Sequence, residues 1–523
     1  MHTKTPVCAL LCVLLTSLLA GCVNAPAATP TPQPAYWPDL EWRTSTPEEQ
    51  GLDSASIVSM LQEIRGSKLP VHSVLIVRRG TLVTEAYFPP YTRELMHPVY
   101  SIAKSVTSAM TGIAIHDGFI TGVQEPVLDY FPDVAQTTRD GYLPDVTIEH
   151  LLTMSAGFNR RTLPADLSDK DASFDAARSV LAKGVADNPG EMFFYDSGLP
   201  HVLSTVIQQT SGLKLSEYAR RNLFEPLGIT ELVWESDPQD ITIGGSGLSL
   251  RPQDMARLGY LYLHNGEWNG KQIVPADWVQ ASTTLHMQTK GLTSTSEGDG
   301  YGYYWWIDSW DGYSAHGFGG QYIFVLPQLD MVVVFTGGLP GADFATPHQL
   351  AKTYLLPAAK SANSLPPDPG AEERLAAEIR KIQDTQGPAA PVPEIARQIS
   401  GKTYRLAARS PGRWPEEITL DFAGGDTYRN SIVWPSGERL PITGGLNGVF
   451  YLNHLGPAGQ TVMPWRGYWL DEKTFVEEQN FDLQSDADLY TVTYTFEGST
   501  VSITVDSRMG AFPTIKASGE IIE

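Results

Sequence analysis

Ser101 and Lys104 lie three residues apart at the head of SIAKSVTSAMTGIAIHDG (101–118), a run that is otherwise small or apolar as far as Asp117. Positions i and i+3 share one face of a helix, so this spacing sets an amine against a hydroxyl. A lysine in an apolar helix carries its charge at a cost of several kcal/mol unless it is paired or neutralised. Its pKa therefore falls, and a neutral amine can take the proton of the neighbouring hydroxyl. Ser101 begins the helix, where free backbone N–H groups and the helix dipole favour a developing oxyanion. The chemistry these residues suit is acyl transfer, with Ser101 as nucleophile and Lys104 as its activator. The same spacing also fits an N-capping serine whose lysine snorkels to solvent. Ser211-Gly212-Leu213-Lys214 repeats the S-x-x-K pattern, but Gly212 follows a helix in the manner of a C-cap, which marks Ser211 as a decoy.

Two further segments narrow the reading. PGEMFFYDSG (189–198) ends in Tyr195-Asp196-Ser197 ahead of a helix, and AHGFGGQ (315–321) precedes a strongly apolar strand. Together with SIAKSVTSAMTGIAI, VTIEHLLTMSAGF, GGSGLSLRPQDMARLGYLYLHNGEWNGKQI and YGYYWW, these stand in the order found in serine hydrolases of the class C β-lactamase and penicillin-binding-protein type. The chain resembles that family from about Leu52 to Leu356, and YDSG and GFGGQYI are most similar to its branch of esterases and 6-aminohexanoate-dimer hydrolases. The resemblance puts Tyr195 at the family's catalytic tyrosine. A phenol beside an ammonium can be partly ionised or relay a proton, so Tyr195 and Lys104 would share acid and base work. Ser197 stands where many relatives carry Asn; it keeps a donor for a substrate carbonyl but loses the amide's donor and acceptor pair. Gly317, Gly319 and Gly320 suit a strand edge approached by substrate, or simply a tight turn. The backbone N–H of Phe318 would join that of Ser101 as the second oxyanion donor, and Gln321 closes the candidate substrate-binding stretch.

One departure bears on specificity. Where β-lactamases and many penicillin-binding proteins carry Lys or His, then Thr, then Gly, this chain has Ala315-His316-Gly317. A fixed positive charge is missing, and His316 is a weak substitute at pH 7. Esters or amides without a constrained carboxylate fit better than penicillins or a D-Ala-D-Ala terminus. His316 is either a substrate contact or a strand residue bonded to a neighbour. Three readings of the whole chain follow: an esterase or amidase acting through an acyl-enzyme, a D-Ala-D-Ala carboxypeptidase or β-lactamase, and a non-catalytic envelope binding protein. His150 and Asp254 read as helix residues, Asp254 in a first turn where a carboxylate caps N–H groups. Asp196 reads as a turn residue, and the rings of 303–306 as edge-strand packing. No G-x-S-x-G elbow or H-E-x-x-H motif occurs, and no metal or other cofactor is called for.

The elements that must hold these groups form an α+β unit. Val74–Val77 and Leu82–Phe88 read as an early hairpin, Tyr322–Leu326 and Met331–Thr336 as a late one. Helical segments at Ser101–Asp117, Thr147–Ser155, Leu199–Thr210 and Pro252–Leu263 lie between them. One antiparallel sheet built from both ends, with flanking helices and a helical subdomain, is the β-lactamase-like arrangement over 39–359. A linker over 360–398 carries one helix, in which Leu375, Ile379 and Ile382 share a face. Residues 399–523 alternate as strands and read as a small C-terminal all-β domain.

At 523 residues, more than one folded unit is expected. A net charge of −22 without a basic run argues against nucleic acid as a partner. Cys8, Cys12 and Cys22 are the three cysteines, so the folded body has no disulfide. The apolar stretch Val7–Ala20, closed by Leu19-Ala20-Gly21-Cys22, reads as an export signal over 1–22, and it resembles a bacterial lipobox, which implies lipidation of Cys22. Residues 23–38, rich in Ala, Thr and Pro, read as a tether. The expectation is an exported protein lipid-anchored at the bacterial cell envelope, with a small-molecule or peptide-like ester or amide as its partner in chemistry.

Overall fold

In the computed structural model the described residues are 36–38, 41–138, 141–162, 171–289, 299–384, 392–407, 414–456, 461–510 and 512–522. The expected signal segment, Cys22 and the tether up to residue 35 lie outside them. The catalytic-looking motifs fall around an eight-stranded sheet built from both ends of the region, as the hairpin pattern predicts. Strands β1 (Val71–Arg78) and β2 (Thr81–Tyr87) come first, then β3 (Met287–Gln288), β4 (Gly300–Tyr301), β5 (Trp306–Asp308), β6 (Gly312–Gly317), β7 (Gln321–Leu326) and β8 (Met331–Gly337). Their spatial order is β2-β1-β8-β7-β6-β5-β4-β3, and β1 runs antiparallel to β8, joining the two ends of the region.

β1, β7 and β8 are buried along their whole length because both sheet faces are covered. On one face Val74, Ile76, Phe324 and Val333 pack with helix α1 (Ser54–Gly66). On the other, Leu75, Val77, Ile323 and Val334 pack with the helices of the insertion, α2 (Ile102–His116), α3 (Gly198–Ser211) and α4 (Pro252–Leu263). The helical reading of Thr147–Ser155 is too long: the helix spans Ile148–Leu152 and the chain turns at Met154, whose φ is +57°. The linker helix α5 (Pro369–Gln383) buries Leu375 and Ile382 against the α1 face, where Arg65 Nε meets Glu378 Oε1 at 2.6 Å. A second short helix, Glu394–Ile399, follows it.

The C-terminal region is the expected antiparallel all-β domain, closed into a barrel. Ten strands, β9 (Lys402–Leu406), β10 (Glu417–Asp421), β11 (Thr427–Val433), β12 (Arg439–Gly445), β13 (Tyr451–Leu455), β14 (Thr461–Trp469), β15 (Thr474–Gln479), β16 (Tyr490–Glu497), β17 (Thr500–Ser507) and β18 (Ile515–Ile521), form one sheet. It closes into a barrel where Gly445 of β12 pairs with Arg466 of β14. The period-2 pattern holds: Ile418, Leu420, Val492, Tyr494, Phe496, Val501 and Ile503 all point into its core.

Candidate active site

Ser101 sits at the mouth of α2 because the chain reaches it through a short sheet and a strained turn. His97–Pro98 pairs with Leu248–Leu250, and the Val99 N–H donates to the Leu248 carbonyl at 2.9 Å. Tyr100 then adopts φ +48°, a left-handed conformation that costs a non-glycine residue about 1–3 kcal/mol. Ser101 is the N-cap, but its hydroxyl makes no capping bond. It bonds instead to Lys104, whose Nζ lies 2.7 Å from Ser101 Oγ and 2.7 Å from the Gly245 carbonyl oxygen. Lys104 is 1% exposed, so it does not snorkel. Burial pushes its ammonium down to about 7, against the raising pull of nearby Asp196. At neutral pH a large share of Lys104 is the free amine, with its N–H serving Gly245 and its lone pair open to the serine hydroxyl.

Tyr195 closes the triangle. Its ring centroid lies 5.0 Å from Lys104 Nζ. Burial pushes its phenol up to about 12, and a hydrogen bond with the Ser101 side chain pulls the other way. Of the two readings of the phenol, this favours the proton relay over partial ionisation, because Tyr195 keeps its proton at neutral pH. Trp306 stacks on Tyr195 at 5.8 Å and on His316 at 5.2 Å, so its ring stands between them. Asp196 is the turn residue expected: it accepts from the Thr162 hydroxyl at 2.6 Å and from the Gly198 N–H at 3.0 Å, which starts α3.

The other sequence candidates divide. Ser197 is half-buried at the head of α3 without a capping bond, beside Gly245. Among the described residues, the backbone N–H groups of Ser101 and Phe318 have no backbone partner, and the Phe318 ring is 42% exposed, edge-on to Tyr100. His316 takes the bonded-neighbour reading, with Nε2 2.7 Å from Ser314 Oγ, and burial holds its imidazole well below the usual range, so it supplies no charge. Gln321 is not placed to bind substrate. It is fully buried, its amide donates to the Phe318 and Gly337 carbonyls at 2.8 and 2.6 Å, and its oxygen accepts from the Gly337 N–H at 3.0 Å. That locks the β6–β7 turn carrying Phe318 onto β8.

The glycines are explained by the protein itself rather than by substrate. A β-carbon on Gly317 would lie 2.2 Å from the Val99 carbonyl, and Gly319 and Gly320 have φ of +80° and +89°. Asp254 also departs from expectation: it is buried and bonded to the buried Arg257 rather than capping its helix. His150 forms a capping box with Thr147, and Ser211 Oγ donates back to the Ile207 carbonyl while Lys214 pairs with Asp240, which confirms the decoy.

Sequence reasoning missed three contributors. Gly245 supplies the carbonyl that holds Lys104, and a β-carbon there would meet the Ser197 carbonyl at 2.8 Å; the paired glycines at 244 and 245 were the available signal. Tyr100, Met154 and Tyr304 are non-glycine residues at positive φ around the site, and no local sequence signal marks them. The third is the barrel. Ser249 Oγ donates to the Gln484 carbonyl at 2.7 Å, Tyr91 to the Ala487 carbonyl at 3.3 Å, and the Ala487 N–H to the Tyr100 hydroxyl at 3.4 Å. Met509 reaches Gly319, where a β-carbon would stand 2.7 Å from its Cε. The barrel thus buttresses both the elbow before Ser101 and the turn that carries Phe318.

A two-faced sheet with a helical insertion, and a serine, a neutral-prone lysine and a tyrosine gathered at one helix mouth, define a serine hydrolase of β-lactamase-like fold. A family model described as Beta-lactamase matches residues 57–354, and the chain belongs to that family. It is similar to the 6-aminohexanoate-dimer hydrolase of Paenarthrobacter ureafaciens, 23% identical over 342 residues that cover 61% of this chain and 86% of the relative. Two solved structures share the fold at a TM-score of 0.50. One is a novel penicillin-binding protein homologue from Caulobacter crescentus, 14% identical, covering 61% of this chain and 99% of that one. The other is EstCE1, a hydrolase with promiscuous acyltransferase activity, 18% identical, covering 59% and 99%.

Proposed function

We propose that the protein is an exported, lipid-anchored serine hydrolase that cleaves an ester or amide through an acyl-enzyme on Ser101. The observation that carries this is the 2.7 Å contact between Ser101 Oγ and an amine whose burial brings it to about 7. Lys104 takes the Ser101 proton as Oγ attacks the carbonyl carbon, and the Ser101 and Phe318 N–H groups hold the oxyanion. The protonated Tyr195 gives its proton to the leaving oxygen or nitrogen and is restored from Lys104; water then attacks the acyl-enzyme and frees the acid. Kinship with a 6-aminohexanoate-dimer hydrolase supports an amide-capable enzyme. The neutral His316 after Ala315 leaves no cation for a constrained carboxylate, which weighs against penicillins. Export and lipidation rest on Leu19-Ala20-Gly21-Cys22 and the apolar run before it.

The test is covalent labelling. A fluorophosphonate should add to one site, mapped by mass spectrometry to Ser101, and Ser101→Ala should abolish the adduct and p-nitrophenyl ester turnover. An adduct that survives in Ser101→Ala overturns the assignment. Nitrocefin turnover comparable to ester turnover overturns the substrate class.

A further inference from the structure

The C-terminal barrel holds a half-open cavity of about 290 Å³ that the hydrolytic chemistry does not use. Its floor is made of buried Ile418, Val492 and Ile503. Half-buried Trp414, Phe481 and Phe512 line it as well, and the last two lie on the segments that carry Ala487 and Met509 against the hydrolase. Among the described residues, two buried polar atoms on this wall have no partner. Gln479, 5% exposed, presents an unbonded Oε1, and Trp414 an unbonded Nε1–H. A buried amide oxygen or indole N–H without a partner is a standing loss, and a wall that offers one acceptor and one donor matches a group that both donates and accepts.

Among the described lining residues none is charged. Tyr494, also of the lining, donates to Glu477 at 2.7 Å, and Asn430 donates to the same carboxyl at 3.0 Å. An anion brought into this uncharged, mostly apolar lining would lose its hydration with no cation to pair it. The occupant is therefore neutral. An apolar cavity of 150 Å³ admits benzene, so roughly twice that volume takes an apolar body of roughly ten to twelve heavy atoms.

We propose that the barrel is a binding site for a neutral amphiphile: an apolar chain or ring of that size bearing one hydroxyl or amide, whose polar group bonds to Gln479 and Trp414. The site is separate from Ser101 and does not depend on the reaction proposed there.

The experiment uses the full chain carrying Ser101→Ala, so that no acyl chemistry in the cleft enters the readout. 1-Decanol is titrated against bound Nile red, with decanoate at pH 8 and decane as comparators. Decanol should displace the dye at one equivalent per chain, and decanoate should be at least tenfold weaker. Val492→Trp, which fills the floor, should abolish dye binding while the circular dichroism stays native; Ile503→Phe serves if that variant does not fold. Gln479→Leu should weaken decanol about tenfold and leave decane unchanged. Dye binding that persists in a folded cavity-filled variant, decanoate binding as tightly as decanol, or no decanol binding at its solubility limit would each overturn the proposal.

Discussion

Lys104 and Glu477 are sealed to the same degree, 1% and 0% exposed, and burial drives both toward neutrality, the amine down to about 7 and the carboxyl up to about 7. One lies in the hydrolase region and the other in the barrel. Desolvation thus acts on both, and it is not by itself what makes a reactive centre. The difference lies in the neighbours. Lys104 faces the half-buried Ser101, whose hydroxyl can pass a changed proton affinity to a bound carbonyl. Glu477 faces Asn430 and Tyr494, which donate to it and lead nowhere but the barrel interior. A perturbed pKa marks a functional site only when a nucleophile and an opening accompany it.

The sharpest way to break this comparison is to remove the amine. Lys104→Met should lower kcat/KM by about 10³-fold or more, because general-base assistance and nucleophile activation go together. It should also stabilise the fold. A lysine at about 10.5 when unfolded and about 7 when folded contributes stability that is present above 10.5 and lost as pH falls toward 7, so at neutral pH the native state carries the full cost of the buried amine. Urea melts at pH 7 should show Lys104→Met more stable by roughly 2–4 kcal/mol. A variant both inactive and destabilised would mean that the Lys104 amine supports the fold through its bond to Gly245 rather than costing it stability. In the unmodified enzyme, kcat/KM should climb roughly tenfold per pH unit below 7 and level off above it, as Lys104 loses its proton. Glu477→Gln should leave that inflection where it is; a shift would mean that the two groups communicate.

Glu477→Gln has a thermodynamic signature of its own. The carboxyl is near 4.5 when unfolded and about 7 when folded, so its contribution is complete below 4.5, declines as pH rises to 7, and is constant beyond. Gln keeps a neutral hydrogen-bonding group there. Its advantage over the unmodified protein should be absent at pH 4 and reach about 3 kcal/mol by pH 7.5 in denaturant melts. A difference that does not vary with pH would show that the carboxyl is ionised in the folded barrel.

Much of the hydrolase was legible because its signals are local. S-x-x-K on an apolar helix, the two hairpins and the period-2 strands of the barrel each follow from neighbours in sequence, and the helix and strands stand where those patterns place them. What was not legible came from tertiary contact. Gln321 reads as a polar residue beside a glycine turn, yet its amide is consumed by β8 backbone 16 residues on. The left-handed Tyr100 is held by packing that no tripeptide encodes. Barrel closure depends on one pairing, Gly445 with Arg466, that alternation cannot foresee. Likewise the ionisation of Tyr195 turned on how deeply it is buried, which a motif does not state.

The smallest expected effect tests whether the two regions share the substrate cleft. Met509 comes from the barrel, is 5% exposed, and ends against Gly319 next to Phe318, whose N–H is the second oxyanion donor in the proposed reaction. Gly319 cannot carry a side chain at φ +80°, so the shape of this wall is set by Met509 and not by the hydrolase itself. Met509→Ala opens that wall without touching Ser101, Lys104 or Tyr195. Hydrophobic pockets discriminate by about 1–3 kcal/mol per methylene at best, and a flexible Met at the rim by less. The ratio of kcat/KM for octanoyl over acetyl p-nitrophenyl esters should therefore rise about two- to fivefold, with the pH inflection near 7 unchanged. An unchanged ratio in a folded variant would confine the barrel to buttressing the elbow at Tyr100. A loss of turnover on both esters alike would mean that Met509 holds the Phe318 turn in place, because a displaced oxyanion donor penalises every acyl group equally.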